Sequence, residues 1–140
     1  MFRPIVLCAA TALAALAVGA ASASASQFHF FRTPSNQIGC VYQTGPAYLR
    51  CDVMYRTRFN GTKNCGEVGD AGQSFAMRRR GSVRLLCASD TSFQPGSRAL
   101  RYGTTHRFGP FRCHLSTSGL RCTNRAGHGW FLSRESQRLF

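Results

Sequence analysis

The sequence predicts an all-β fold, a small disulfide-stapled antiparallel sandwich or open barrel built of hairpins, with at most a short C-terminal helical turn. Three observations lead there. Two cysteine pairs, Cys40/Cys51 and Cys113/Cys122, each bracket turn residues at their midpoint, and each second cysteine closes a Leu-Arg-Cys triplet. The apolar residues beside each pair alternate with a period of two, as on a half-buried strand. Past residue 26 no long 3.6-residue apolar period appears, so helix content is low.

Residues 1–26 read as a cleaved signal peptide. Arg3 supplies a positive n-region, Ile5 to Ala20 an apolar stretch, and Ala21-Ser22-Ala23 and Ala23-Ser24-Ala25 two small-residue cleavage sites. The stretch is too short for a stable transmembrane helix, and no second one follows. Cys8 leaves with the leader, and residues 27–140 form a single secreted β domain without a transmembrane segment. The remaining six cysteines, an even number, suit an oxidising compartment. The chain has no Cys-x-x-Cys and no His-x-x-x-His, which argues against a metal site, and no cofactor is expected.

Phe28-His29-Phe30-Phe31 opens the domain as a strand, and Thr33-Pro34-Ser35-Asn36 turns it. In the first hairpin, setting Cys40 opposite Cys51 also sets Tyr42 opposite Leu49 and Ile38 opposite Val53, all on one face, while Val41, Arg50 and Asp52 take the other. One register satisfies both the disulfide and the apolar pattern. Asn60-Gly61 is a turn signal, and Asn60-Gly61-Thr62 a glycosylation acceptor pattern. Residues 64–74 are Gly-rich and polar and read as loop, and Arg78-Arg79-Arg80 falls in a loop before the strand Val83 to Cys87. Gln94-Pro95-Gly96-Ser97 is a further turn.

In the second hairpin, Cys113 opposite Cys122 sets Leu115 against Leu120 inside and His114 against Arg121 outside, with Arg112 and Thr123 alongside. Thr117-Ser118-Gly119 would also fit a three-residue loop with a left-handed Gly119, which shifts the register by one. The disulfide register is expected to prevail. Gly129 to Leu132 is a late strand, and Ser133 is placed to cap one helical turn through Arg138. By elimination Cys65 pairs with Cys87. Each bridge closes a short loop and stabilises by about 3 kcal/mol. Phe28, Phe30, Phe59, Phe75, Phe111 and Phe131 read mostly as core.

The chain carries 18 basic and 5 acidic residues, and 12 of the arginines lie from Arg78 onward against one Asp and one Glu. A field of that sign favours anionic partners such as nucleic acid, phosphate-bearing wall polymers or lipid surfaces. It also serves solubility. The excess of Arg over Lys is also the composition of a G+C-rich genome. Five acids are few for the paired carboxylates of a glycosidase or for a calcium cage. There is no Gly-x-Ser-x-Gly elbow, and no cysteine is left over as a thiol nucleophile.

The stretch Gly119-Leu120-Arg121-Cys122-Thr123-Asn124-Arg125-Ala126-Gly127-His128-Gly129-Trp130-Phe131-Leu132-Ser133-Arg134-Glu135, with Gln137-Arg138-Leu139-Phe140 after it, resembles the signature of a family of small exported six-cysteine domains of unknown function from actinobacteria. Ile38-Gly39-Cys40, Cys87-Ala88-Ser89-Asp90-Thr91, Tyr102-Gly103-Thr104-Thr105 and Gly109-Pro110-Phe111-Arg112-Cys113 are similar too. The resemblance covers most of the mature chain and implies a secreted domain without conferring an activity. Residues 66–74 lack the Trp-Gly that the resemblance leads one to expect, so packing near Cys65 is expected to differ.

The residues lean toward a non-enzymatic domain that binds an anionic partner at or near the bacterial surface. Arg78, Arg79 and Arg80, followed by Arg84, form the densest charge run and the first candidate contact, against the plainer reading of a solvated loop. Arg112, His114 and Arg121 form the second, against an ordinary solvated sheet face. The alternative is a small secreted nuclease-like hydrolase using His128 or His114 as base, with Arg125, Arg134 and Glu135 near His128 in sequence. Spacing alone does not make an acid–base pair, and His128 in Gly127-His128-Gly129 fits a turn or packing role equally well. A third class is a protease inhibitor or antimicrobial module, with residues 66–82 as its exposed loop.

Overall fold

The computed structural model describes residues 25–54 and 74–140, which form eleven strands and no helix. The expected leader up to residue 24, Cys8, the Asn60-Gly61 turn, Phe59, Cys65 and the loop up to residue 73 lie outside the described residues. Sheet A contains β1 (Phe28–Arg32), β2 (Ile38–Gln43), β3 (Tyr48–Val53), β4 (Ser74–Arg78), β5 (Arg84–Leu86) and β6 (Arg98–Ala99), in the spatial order β5-β4-β3-β2-β1-β6. Sheet B is a meander of β7 (Thr104–Phe108), β8 (Phe111–Ser116), β9 (Gly119–Thr123), β10 (Gly129–Leu132) and β11 (Gln137–Leu139), in the order β11-β10-β9-β8-β7. Every pairing is antiparallel except β1 with β6, where Phe31 lies beside Arg98.

The core between the sheets is made by the inward residues of both. Phe31, Cys40, Leu49, Cys51, Phe75 and Met77 come from sheet A, and Phe111, Cys113, Leu115, Leu120, Cys122, Trp130 and Leu132 from sheet B. Each is buried, and burying side chains of this size stabilises by roughly 1.5–3 kcal/mol apiece before the entropy cost. The two disulfides lie inside this layer, Cys40–Cys51 across β2/β3 and Cys113–Cys122 across β8/β9. Cys87 is also disulfide-bonded; its expected partner, Cys65, is outside the described residues.

The register of the first hairpin is the expected one, Ile38 to Val53 and Tyr42 to Leu49, and a four-residue loop with a cis Gly45–Pro46 bond joins its strands. In the second hairpin Ser116 pairs with Gly119, so the turn is Thr117-Ser118 and the disulfide register prevails over the three-residue loop.

Several expectations need correction. Arg78 is not in a loop: it ends β4 and pairs with Tyr48 of β3, and β4 is an interior strand flanked by β3 and β5. Residues 74–78 therefore cannot belong to an exposed inhibitory loop over 66–82. The C-terminal segment is not helical. Ser133 Oγ accepts from the backbone N–H of Glu135 and Ser136, its own N–H donates to the Ser136 carbonyl, and the chain reverses into β11. Phe28 and Phe30 are not core, being 59% and 37% exposed. The pairing of Phe31 with buried Cys40 turns Phe31 inward, so period two sends its neighbours Phe28 and Phe30 outward beside Gln43 and Val41. Phe131 likewise lies on the outer face of sheet B, half-buried.

A basic sheet face as the candidate functional site

Alternation along the meander sorts sheet B into a buried and an outward face, and the outward positions line up across all five strands. One row reads Thr105, His114, Arg121, Phe131 and Arg138, from β7 to β11. The next reads Arg107, Arg112, Thr123 and Gly129, and Gly129 exchanges two backbone hydrogen bonds with Phe140. Arg107, Arg112, His114, Arg121 and Arg138 are all exposed. None of the five strands contains an Asp or Glu. The face is thus positive with no internal neutralisation, and positive charges on adjacent strands cost stability unless an anion joins them.

Local packing holds two of these arginines flat. The Arg121 guanidinium lies 4.1 Å from the centre of the Phe140 ring and that of Arg138 lies 5.2 Å from the centre of Phe131. Such stacking stabilises by about 0.5–1 kcal/mol at an exposed site and leaves the N–H groups free to bond outward. Gly119 makes room for Phe131, because a Cβ there would sit 2.6 Å from its ring. His114 Nδ1 is 2.9 Å from the Thr105 hydroxyl, which fixes the ring along the row.

The first candidate group sits elsewhere. Arg78, Arg80 and Arg84 share a cleft of about 340 Å3 with Tyr48, Met77 and Leu86 at the β4–β5 end of sheet A. The Tyr48 phenol there is pushed up by burial, against an opposing pull from Arg50. Arg79 is exposed, and its carbonyl accepts from the Arg125 backbone N–H, 3.3 Å away. The structure therefore splits the candidates into two groups. Arg78, Arg80 and Arg84 line one cleft, while Arg112, His114 and Arg121 belong to the sheet face, joined there by Arg107, Arg138 and Phe140, which sequence reasoning had not placed, and by Phe131, which it had read as core. For Phe131, Arg138 and Phe140 the signal lay in the alternation of β10 and β11, which the helical reading of 133–138 obscured, whereas Arg107 belongs to β7.

His128 is half-buried in the turn between β9 and β10, and the backbone rather than the ring is engaged. Its N–H donates to Asn124 Oδ1 at 3.1 Å and its carbonyl accepts from Asn124 N–H at 2.8 Å. Glu135 pairs with its neighbour Arg134 at 3.3 Å in the β10–β11 turn. The other described acids are committed to Arg50: Asp52 at 2.9 Å and Asp90 at 3.0 Å. The Arg50 hydrogen bond holds the Asp90 carboxyl below its ordinary value. Among the described residues no group of three His, Cys, Asp or Glu is placed to hold a metal ion, and no helix is long and apolar enough to cross a membrane.

These features define a class: a two-sheet, disulfide-stapled β domain with one outward sheet face given over to arginine. The chain belongs to a family of unknown function (DUF6636), whose match spans residues 10–140. No curated protein and no solved structure is matched.

Proposed function

We propose that this is an exported, non-enzymatic domain that binds an anionic polymer of the cell envelope through the outward face of sheet B. The observation that carries the reading is the acid-free outward face of five paired strands, on which β7, β8, β9 and β11 set Arg107, Arg112, His114, Arg121 and Arg138 in two adjacent rows, with two guanidiniums laid on aromatic rings. A flat, rigid array of donors suits a polymer carrying repeated phosphate or carboxylate groups, which it meets by charge-assisted hydrogen bonds. Export rests on the leader-like first 26 residues and on the disulfides, which persist outside the reducing cytosol. Arg78 at the end of β4 and Arg79 and Arg80 just after it add positive field at the end of the sandwich.

The test is binding to polyphosphate at two salt concentrations, comparing the wild type with an Arg112→Ser/Arg121→Ser/Arg138→Ser variant and with an Arg78→Ser/Arg79→Ser/Arg80→Ser variant. The sheet variant is expected to lose at least tenfold in affinity and to show a flatter salt dependence, and the turn variant to lose less. Unchanged affinity and salt slope in the sheet variant would refute the assignment.

A further inference from the structure

A separate cavity of about 570 Å3 opens at the end of the sandwich where the β1–β6 edge of sheet A meets β7. Its wall is a ladder of rings. His29 stacks with Tyr42 at 5.8 Å between centroids, Tyr42 tilts against Phe108 at 6.2 Å, and Phe108 lies flat on buried Phe31 at 4.1 Å. The Tyr42 hydroxyl fits where it does because residue 109 is glycine: a Cβ there would sit 2.1 Å from that oxygen. Gly109 also has φ 53°, in the left-handed region where glycine is favoured. The aromatic wall is therefore preformed.

The polar part of the lining is equally specific. Arg98 and Arg107, both exposed, bring two positive charges, and neither has a carboxylate partner among the described residues. The lining contains no Asp, Glu, Asn, Gln, Ser or Thr. The carboxylates and side-chain amides that can both orient and accept from sugar hydroxyls are absent from this lining. Rings for a flat apolar body and guanidiniums for a negative head remain.

We propose that the cleft is a binding site for a planar aromatic anion, its ring stacked in the His29–Tyr42–Phe108 wall and its anionic group held by Arg98 and Arg107. The proposal stands apart from polymer binding, because His29 and Arg98 lie on sheet A and contribute nothing to the outward face of sheet B.

Calorimetric titration with 2-naphthyl phosphate tests it, with inorganic phosphate and 2-naphthol as separate probes. Saturable binding of the naphthyl phosphate is expected, at least tenfold tighter than either half alone. His29→Ala and Arg98→Gln, both at exposed positions, should each weaken it at least threefold while the melting temperature stays put. Arg107 is left intact because it also belongs to the basic face. No saturable binding by the wild type, binding no tighter than inorganic phosphate, or full affinity in either variant would overturn the assignment.

Discussion

The side chain of Asn124 donates from Nδ2 to the Gly81 carbonyl at 2.8 Å, across the seam between the two sheets. The same nitrogen reaches the Arg78 carbonyl at 3.1 Å, and Oδ1 accepts from the N–H groups of Ala126 and His128. One buried amide thus clamps the arginine turn after β4 to the Gly-His-Gly turn before β10. With 6% exposure it has little recourse to water.

Asn124→Ala should therefore destabilise the domain by about 3 kcal/mol, since it strands four backbone groups at once and buried unsatisfied groups cost 1–3 kcal/mol each before water relieves some of them. Asn124→Asp is expected to lose at least as much, since it keeps the acceptor but sets a buried carboxylate oxygen against the Arg78 and Gly81 carbonyls. Denaturant melts of the three proteins check this, and a loss below about 0.5 kcal/mol in the alanine variant would remove the clamp from the account.

Arg50 is the second polar keystone. It bonds Asp52 through two nitrogens at 2.9 Å and reaches both the carboxylate and the carbonyl of Asp90. Asp52 in turn accepts from the Ser92 N–H, so the pair ties the 90–92 segment to the outer face of sheet A. Arg50→Met should cost about 3 kcal/mol by leaving the Asp52 carboxylate buried and unpaired. Adding Asp52→Leu should recover part of that loss. Additive losses in the double variant, measured by the same melts, would contradict it.

Gly129 tolerates no side chain. A Cβ there would lie 1.9 Å from the Cys122 carbonyl oxygen, which is backbone and cannot swing aside. Gly129→Ala should separate β9 from β10 at that point and destabilise by about 3 kcal/mol, at the upper end of overpacking costs. A variant as stable as the wild type in thermal melting would show that the strands move apart freely.

His106 gives an acid-side signature. Burial and then the nearby charge of Arg98 lower its pKa below the ordinary 6.5, and its Nε2 lies 2.8 Å from the Thr104 hydroxyl. The native state therefore resists the proton that the unfolded chain accepts. Its contribution is fully present above pH 6.5, is lost as pH falls from there toward the folded-state value, and changes no further below it. In His106→Gln the decline in melting temperature on the acid side of pH 6.5 should be shallower. An identical pH profile would exclude His106 as a source.

The hairpins were legible in the sequence because covalent and apolar signals agreed: only one register puts Cys40, Tyr42 and Ile38 on the same face as their partners. β4 was not, since Ser74 to Met77 is short and its pairing depends on β3 and β5 rather than on local turn residues. β7 was hidden by its composition. Thr104 and His106 face inward where apolar residues are expected, so the period of two carried no contrast. At the C-terminus Ser133 is as good a cap for a reversal as for a helix, and only the pairing of Phe131 with Arg138 decides between them. Half of the basic face was readable in the Cys113–Cys122 hairpin; the other half required β7, β10 and β11. The aromatic cleft was not legible at all, because it joins residues 28–42 to residues 98–109, segments far apart in the chain.

The strand orders of the two sheets also imply a sequence of events. Sheet B joins only consecutive strands, each pair a hairpin, so every ladder closes over a short span of chain. Sheet A is finished only when Phe31 of β1 meets Arg98 of β6, with most of the domain in between, and closing so long a span costs more entropy. The C-terminal meander should accordingly assemble first and serve as the platform on which the N-terminal strands condense. In pulse-labelled hydrogen exchange, amides of β8 and β9 would gain protection ahead of those in β1. In a chain that emerges N-terminus first, as from the ribosome, the half that appears first would then wait for the half that appears last.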